Sequence, residues 1–280
     1  MERIESVNEM QALAQSLRTQ GRLIALVATQ GALHAGHRSL IEAARRHADT
    51  VVVSIFVNPL QFGPNENHAR YPRSPDEDAA LCQEAGVDVL FLPSADDMYP
   101  KGYSTYVTEE ALSRGLCGVS RPNHFRGVTT ALVKFCNIVH PDVLVFGQKN
   151  AQQAAVARKM IGDLNFRMQV VVEPTVREED GLPYSSRLHQ LSPTQREDAT
   201  IIPRALNAAK ALVESGVRNV DRVVAETTHI LSTQRRIRLI YASVVDSETM
   251  EPERQIVPER SLLAVAVWVD EVRLIDNILL

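Results

Sequence analysis

The chain has 280 residues, with 25 Arg and 5 Lys against 34 Asp and Glu, and a formal net charge of −4. That balance argues against nucleic-acid binding through a strongly basic surface, and no apolar run reaches the ~18 residues of a membrane-spanning helix. Its 45% hydrophobic and 23% charged residues are the mix of a globular protein long enough for one large domain or two moderate ones.

In chain order, the first 20 residues carry charges throughout and lack the apolar core of a secretory signal, so a cytoplasmic location is expected. Residues 22–28 (RLIALVA) form a short apolar run of the kind found in a buried parallel strand. Helical periodicity follows over 36–48, then a β-branched strand over 50–57, a helix over 75–85 with acidic residues at its start, and a strand over 87–92. Further on, the pattern predicts a helix over 128–139, a strand over 142–146, a helix over 150–163 and a strand over 168–172. Strands alternating with helices imply βαβ crossovers and a mostly parallel, Rossmann-like α/β sheet, whose ligands sit at the carboxyl ends of the strands. After Pro174 the alternation stops. Helices are expected over 194–215 and 221–232, and strands over 238–245, 262–269 and 272–280, the last two joined by an Asp-Glu turn. The expected division is a domain of residues 1–175 and a smaller α+β domain of residues 176–280. Segments 58–75 and 93–127 are long and irregular, a feature more often functional than idle. Cys82, Cys117 and Cys136 show no C-x-x-C spacing and read as buried structural thiols.

Four segments could carry chemistry. Thr29-Gln30-Gly-Ala-Leu-His34-Ala-Gly36-His37 follows the first apolar strand and opens a helix. Free N–H groups there favour phosphate, and two imidazoles three residues apart share a face; the plainer reading is a capped turn with two surface histidines. Gly36 precedes His37-Arg38, which excludes a Walker A loop. Ser54-Ile-Phe-Val-Asn58-Pro-Leu-Gln61 runs from a strand into a polar loop whose amides could bind a carboxylate or hydroxyl, or could simply form a turn. Phe146-Gly147-Gln-Lys149-Asn150-Ala-Gln152-Gln153 places a lysine at another strand exit, within reach of a phosphate or merely solvated. Asp180-Gly-Leu-Pro-Tyr-Ser185-Ser186-Arg187 offers two hydroxyls and a guanidinium at the expected junction, or simply a turn or helix cap. No G-x-S-x-G elbow supports a serine hydrolase.

Taken together, these segments resemble the pantothenate synthetase (pantoate–β-alanine ligase) family, whose fold belongs to the nucleotidyl-transferring class with an H-x-G-H signature. The resemblance rests on residues 31–37, 54–66, Tyr71-Pro-Arg, Met98-Tyr-Pro, Arg121-Pro-x-His124-Phe-x-Gly127, 174–182, Ser185-Ser-Arg and Leu274-Ile-Asp-Asn277. It implies an ATP-dependent ligase in which the pantoate carboxylate attacks the α-phosphate and the resulting adenylate is opened by β-alanine. It further implies that His34 and His37 contact phosphates and that Lys149 stabilises the transferring group. Ser185, Ser186 and Arg187 would hold the triphosphate, while Gln30, Gly36, Gly147 and Asn150 border the nucleotide. Gln61, Gln153 and Asn58 would hold pantoate, with Arg121 and His124 near the second substrate. Asp78 is the implied Mg²⁺ ligand. A homodimer is implied, with Ser54–Val57 as a guessed contact.

Some positions depart from the family pattern, and the resemblance places them around the nucleotide. Gln30 stands where methionine is usual, Asn150 where aspartate is usual, Leu188 where asparagine is usual, and Ala35 where glutamate is frequent. The alternatives these departures motivate are a paralogous acid–amine ligase with another acid or amine, or a nucleotide-binding homologue with impaired catalysis.

Overall fold

The computed structural model describes residues 1–63, 68 and 71–280. Residues 64–66, the end of the second motif, lie outside the described residues.

The chain begins with strand β1 (Glu2–Ile4) and helix α1 (Val7–Thr19), which the sequence reading does not assign. The helix is capped by Ser6, which accepts the Glu9 N–H, and it buries Met10, Ala14 and Leu17 along one face. Then come β2 (Ile24–Thr29), α2 (Ala35–His47), β3 (Thr50–Ile55), α3 (Pro75–Glu84) and β4 (Val89–Phe91). The irregular segment after β4 contains two short helices, α4 (Ala95–Met98) and α5 (Cys117–Ser120), and leads into α6 (His124–Val139). The first sheet closes with β5 (Val143–Gly147), α7 (Ala151–Asp163) and β6 (Gln169–Glu173).

These six strands are all parallel, in the order β1-β4-β3-β2-β5-β6. Side chains alternate between two cores. Ile24, Leu26, Val52, Phe91 and Leu144 pack with α1, α6 and α7, while Ala25, Val27, Val51, Val53 and Val145 pack with α2 and α3. The order reverses between β2 and β5, which opens a crevice at their carboxyl ends. The motifs at 29–37 and 146–153 leave those two strands.

The second unit holds α8 (Pro193–Ala199), α9 (Ile201–Glu214) and α10 (Val220–Ser232) over an antiparallel sheet of β7 (Ile237–Asp246), β8 (Ser261–Val269) and β9 (Val272–Leu279). The single helix expected over 194–215 is broken at Thr200. Pro203 lacks the N–H that would bond Ala199, so the chain restarts as α9. The register of β7 against β8 slips at Ile240, and such a bulge re-aims the side chain that follows it, here Tyr241. The guessed dimer contact at Ser54–Val57 falls on β3, which lies between β2 and β4, and Ser54 is fully buried there. All three cysteines are buried and free. No described helix is long and apolar enough to cross a membrane.

The turn Pro59–Gln61 packs directly on α6. A Cβ on Gly127 would stand 2.3 Å from the Leu60 carbonyl oxygen and 2.8 Å from the Gln61 nitrogen, both backbone atoms with no room to yield. Gly127→Ala is expected to cost about 1–3 kcal/mol in urea unfolding. Gly162→Ala, where a Cβ meets nothing within 4 Å, is expected to gain about 0.5–1 kcal/mol from reduced backbone freedom. Equal effects at the two sites would refute the packing account.

Candidate active site

At the exit of β2 the chain turns sharply, with Gly31 at φ 83° and Ala32 at φ 49°. The buried carboxylate of Asp78 holds this turn. It accepts the N–H groups of Ala32 (3.0 Å) and Leu33 (2.6 Å) and the Ser74 hydroxyl (3.2 Å). The turn delivers His34 to the N-cap of α2 and His37 to its first turn. The His34 N–H donates to His37 Nδ1 at 3.3 Å, which fixes that ring as an acceptor at Nδ1. The two rings lie 4.0 Å apart, and Tyr184 stacks on His34 at 5.8 Å. Burial, then Lys149, pushes His34 down to about 4; burial, then His34 and Lys149, holds His37 well below its usual range. Both imidazoles are neutral near pH 7, and the buried Nδ1 of His34 has no protein partner.

At the exit of β5, a single 3-10 turn over Gln148–Asn150 presents Lys149. Its Nζ donates to the Tyr184 carbonyl at 3.0 Å. Burial lowers the ammonium to about 7; Arg187 and Arg177 push the same way and Asp276 opposes them. The turn is held from the other sheet: Asn277 on β9 donates to the carbonyls of Gln148 and Lys149, each at 3.0 Å. Next to it, Arg177 grips the buried Asp276 through two bonds of 2.7 and 3.0 Å. Ser185 accepts the Arg187 N–H at 3.3 Å, Ser186 Oγ meets the Tyr71 hydroxyl at 3.2 Å, and Arg187 donates to the Arg273 carbonyl at 3.0 Å.

At the exit of β3, Asn58 spends its amide on protein. Its Nδ2 donates to the Gly127 carbonyl (2.9 Å), and its Oδ1 accepts from Leu60 N–H (3.1 Å) and the Tyr99 hydroxyl (3.0 Å). Asn58 therefore shapes the turn that carries Gln61. The Gln61 carbonyl accepts from Arg121 (3.2 Å) and His124 Nδ1 (3.1 Å), while its side-chain oxygen is buried without a partner. His124 also meets Arg121 at 3.1 Å, and burial with that guanidinium pushes its imidazole down to about 3. Gln153 faces the same space. Its neighbour Gln152 is engaged, bonding Cys117 N–H and the carbonyls of Leu112 and Gly115 at 2.8–3.0 Å.

His34, His37, Lys149, Asn58, Gln61, Arg121, His124, Gln153 and the Ser185–Arg187 run all border one cavity of about 280 Å³, near the scale of small-molecule sites (roughly 300–1,000 Å³). Of the other expected site residues, Gln30, Gly36, Gly147 and Asn150 also line it. Asp78 does not. Its oxygens are committed to the loop, so its assignment as a metal ligand is corrected to loop anchor. No group of three or more His, Cys, Asp or Glu suited to a metal exists among the described residues. Leu188 is a second correction: it is buried in the core of the second unit and does not border the cavity. Sequence reasoning assigns no role to Tyr71, Tyr184, Arg177 or Arg273. The available signal for Arg273 is a charged residue inside the largely apolar start of β9.

Chemically, the cavity offers an ammonium and several guanidiniums, neutral imidazoles and hydroxyls. Among the described residues its single lining carboxylate, Asp276, is already paired. Such a wall stabilises charge developing on an anion.

Known proteins resemble this chain in sequence and fold. Residues 2–279 match the family described as "Pantoate-beta-alanine ligase". The pantothenate synthetase of Heliobacterium modesticaldum is 50% identical over 99% of this chain and 98% of that protein. The crystal structure of pantothenate synthetase from Thermus thermophilus superposes with a TM-score of 0.93 at 41% identity, covering 99% of both chains. That of the pantoate-beta-alanine ligase from Francisella tularensis, complexed with beta-gamma ATP and beta-alanine, gives 0.81 at 31% identity, covering 100% of this chain and 97% of that one. With a full-length family match and a shared fold, the chain belongs to the pantoate-beta-alanine ligase family.

Proposed function

We propose that this protein joins pantoate to β-alanine at the expense of ATP, through a pantoyl-adenylate. A carboxylate oxygen of pantoate attacks the α-phosphorus, the bond to the bridging β-phosphate oxygen breaks, and pyrophosphate leaves with that electron pair. The neutral amine of β-alanine then attacks the acyl carbon, AMP departs with its oxygen, and the amine loses a proton. The first step brings an anion onto an anion, so the wall must neutralise charge on the transferring group.

The observation that carries this reading is the convergence of Lys149, His34, His37 and Ser185–Arg187 at the switch point between β2 and β5. In it, Lys149 leaves the Tyr184 carbonyl for the α-phosphate, and the neutral imidazoles donate to phosphate oxygens. Ser185, Ser186 and Arg187 hold the triphosphate, with Gln30, Gly36 and Gly147 beside it and Asn150 at the ribose. The buried, unpartnered Gln61 oxygen supports a hydroxyl donor on the acid, with Gln153 across from it. Asn58 contributes by shaping the Gln61 turn. Magnesium in this reading arrives on the nucleotide's own phosphates. The reading also includes residues 176–280 acting as a lid, a cytoplasmic location and a homodimer.

The deciding measurement is AMP release with ATP, pantoate and β-alanine. Release is expected only with both the acid and the amine, and Lys149→Ala should lower kcat by about 10²–10³-fold. No release, or release indifferent to the acid supplied, would sink the proposal.

Asn150 keeps an acceptor oxygen but lacks a charge. Asn150→Asp is expected to lower the KM for ATP roughly fivefold by making the bond to a ribose hydroxyl charge-assisted. An unchanged or raised KM rejects the ribose assignment.

Lys149 also sets a pH signature. In the free enzyme it loses its proton as pH rises through about 7, so kcat/KM for ATP should fall above that point, about tenfold per pH unit. Bound phosphate raises the ammonium's pKa, so kcat should hold to higher pH. Lys149→Arg should remove the alkaline fall, since guanidinium stays charged; its persistence would assign the fall to another group.

A further inference from the structure

The reading above gives no role to Arg273, a cation of the cavity wall. Arg273 projects from β9, is 5% exposed, and borders the cavity. Its Nε is buried with no hydrogen-bond partner. Its guanidinium reaches only neutral groups: Cys117 Sγ at 3.4 Å and Ser120 Oγ at 3.5 Å from one terminal nitrogen, and the Tyr241 hydroxyl. Among the described residues, no carboxylate forms an ion pair with it, and Asp276, the one carboxylate lining the cavity, is held by Arg177. A guanidinium taken out of water without a counter-charge is strongly unfavourable, so a fold that builds one has reserved it for an anion. The surroundings hold it in place: the Arg273 carbonyl is pinned by Arg187 at 3.0 Å, and the Tyr241 hydroxyl meets Cys117 Sγ at 3.2 Å.

The anion can be narrowed by chemistry. Arg273 leans on α5, the helix whose C-cap is Arg121, and its contacts there are not with the turns after β2 and β5 where the phosphates are placed. The acid's carboxylate is consumed in the first step, when it becomes an acyl phosphate. Only the carboxylate of the amine substrate persists through the whole reaction. A planar guanidinium holding it through two parallel bonds would fix the reach of the amine toward the acyl carbon.

We propose that Arg273 is the anchor for the carboxylate of the amine substrate, and so selects an amino acid over a simple amine. The proposal rests on the ligase reading. It is tested on the purified full chain by AMP release at saturating ATP and pantoate, comparing β-alanine with β-alaninamide at matched free-amine concentration. The wild-type protein should strongly prefer β-alanine. Arg273→Gln should reduce that preference, the ratio of the two kcat/KM values, by about a hundredfold. Arg273→Lys should retain part of it as a point charge. A role confined to holding Cys117 and Ser120 would lower both amines in proportion and leave the ratio intact, which overturns the proposal. A wild-type ratio near one overturns it without any variant, so a failure of Arg273→Gln to fold does not protect it. Absence of AMP release by the wild type with any amine instead removes the ligase reading, and the anchor with it.

Discussion

The grip of Arg177 on Asp276 is the interaction on which the site depends. Among the described residues Asp276 is the one acid bordering the cavity, and its charge acts on Lys149. Left alone it would take the lysine as its counter-ion, and the ammonium would be lost to any ligand. With both carboxylate oxygens bound by Arg177, Lys149 rests on a neutral carbonyl, a partner it can exchange for a phosphate. The next residue on β9, Asn277, ties the turn carrying that lysine to the second sheet. Two adjacent residues of one strand thus set both the charge and the position of a lysine that precedes Asn277 by 128 residues.

Net charge is a poor guide to such a site. The chain is mildly acidic, yet the cavity wall is cationic because nearby carboxylates are spent elsewhere. Asp78 holds a loop, Asp276 holds an arginine, and Glu109 caps the segment from Ala111 to Ser113. The histidines contribute as neutral donors because burial beside Lys149 denies them a proton. What the site presents to an anion is oriented N–H and O–H groups with a few cations among them.

Much of this is legible in the sequence, and the misses share a cause. Apolar runs and β-branched residues mark every strand after the first, and the polar residues at strand exits mark the cavity, because parallel sheets place ligands there. The sequence alone does not tell a side chain that binds ligand from one that binds backbone. Asn58 and Gln152 carry the same amide group as Gln61 and Asn150. Their work is assigned by partners 35 to 69 residues away, Cys117 for Gln152 and Gly127 for Asn58. Leu188 reads as a neighbour of the nucleotide because it follows Ser185-Ser186-Arg187, but one residue along a turn reverses the face, and it enters the core. Arg273 lies within a strand whose apolar neighbours give no hint that its side chain crosses to α5.

The resting bond between Lys149 and the Tyr184 carbonyl has a further meaning as a threshold. A molecule entering the cavity must offer the lysine a better acceptor than a carbonyl oxygen at 3.0 Å. Water and neutral ligands offer acceptors of similar strength, whereas an anionic phosphate oxygen offers a charge-assisted one. The residue released by that exchange is Tyr184, whose ring lies on His34 and whose chain neighbours are Ser185 and Ser186. In the reading proposed above, a phosphate that takes the lysine would free the segment carrying Ser185 and Ser186 from that tie.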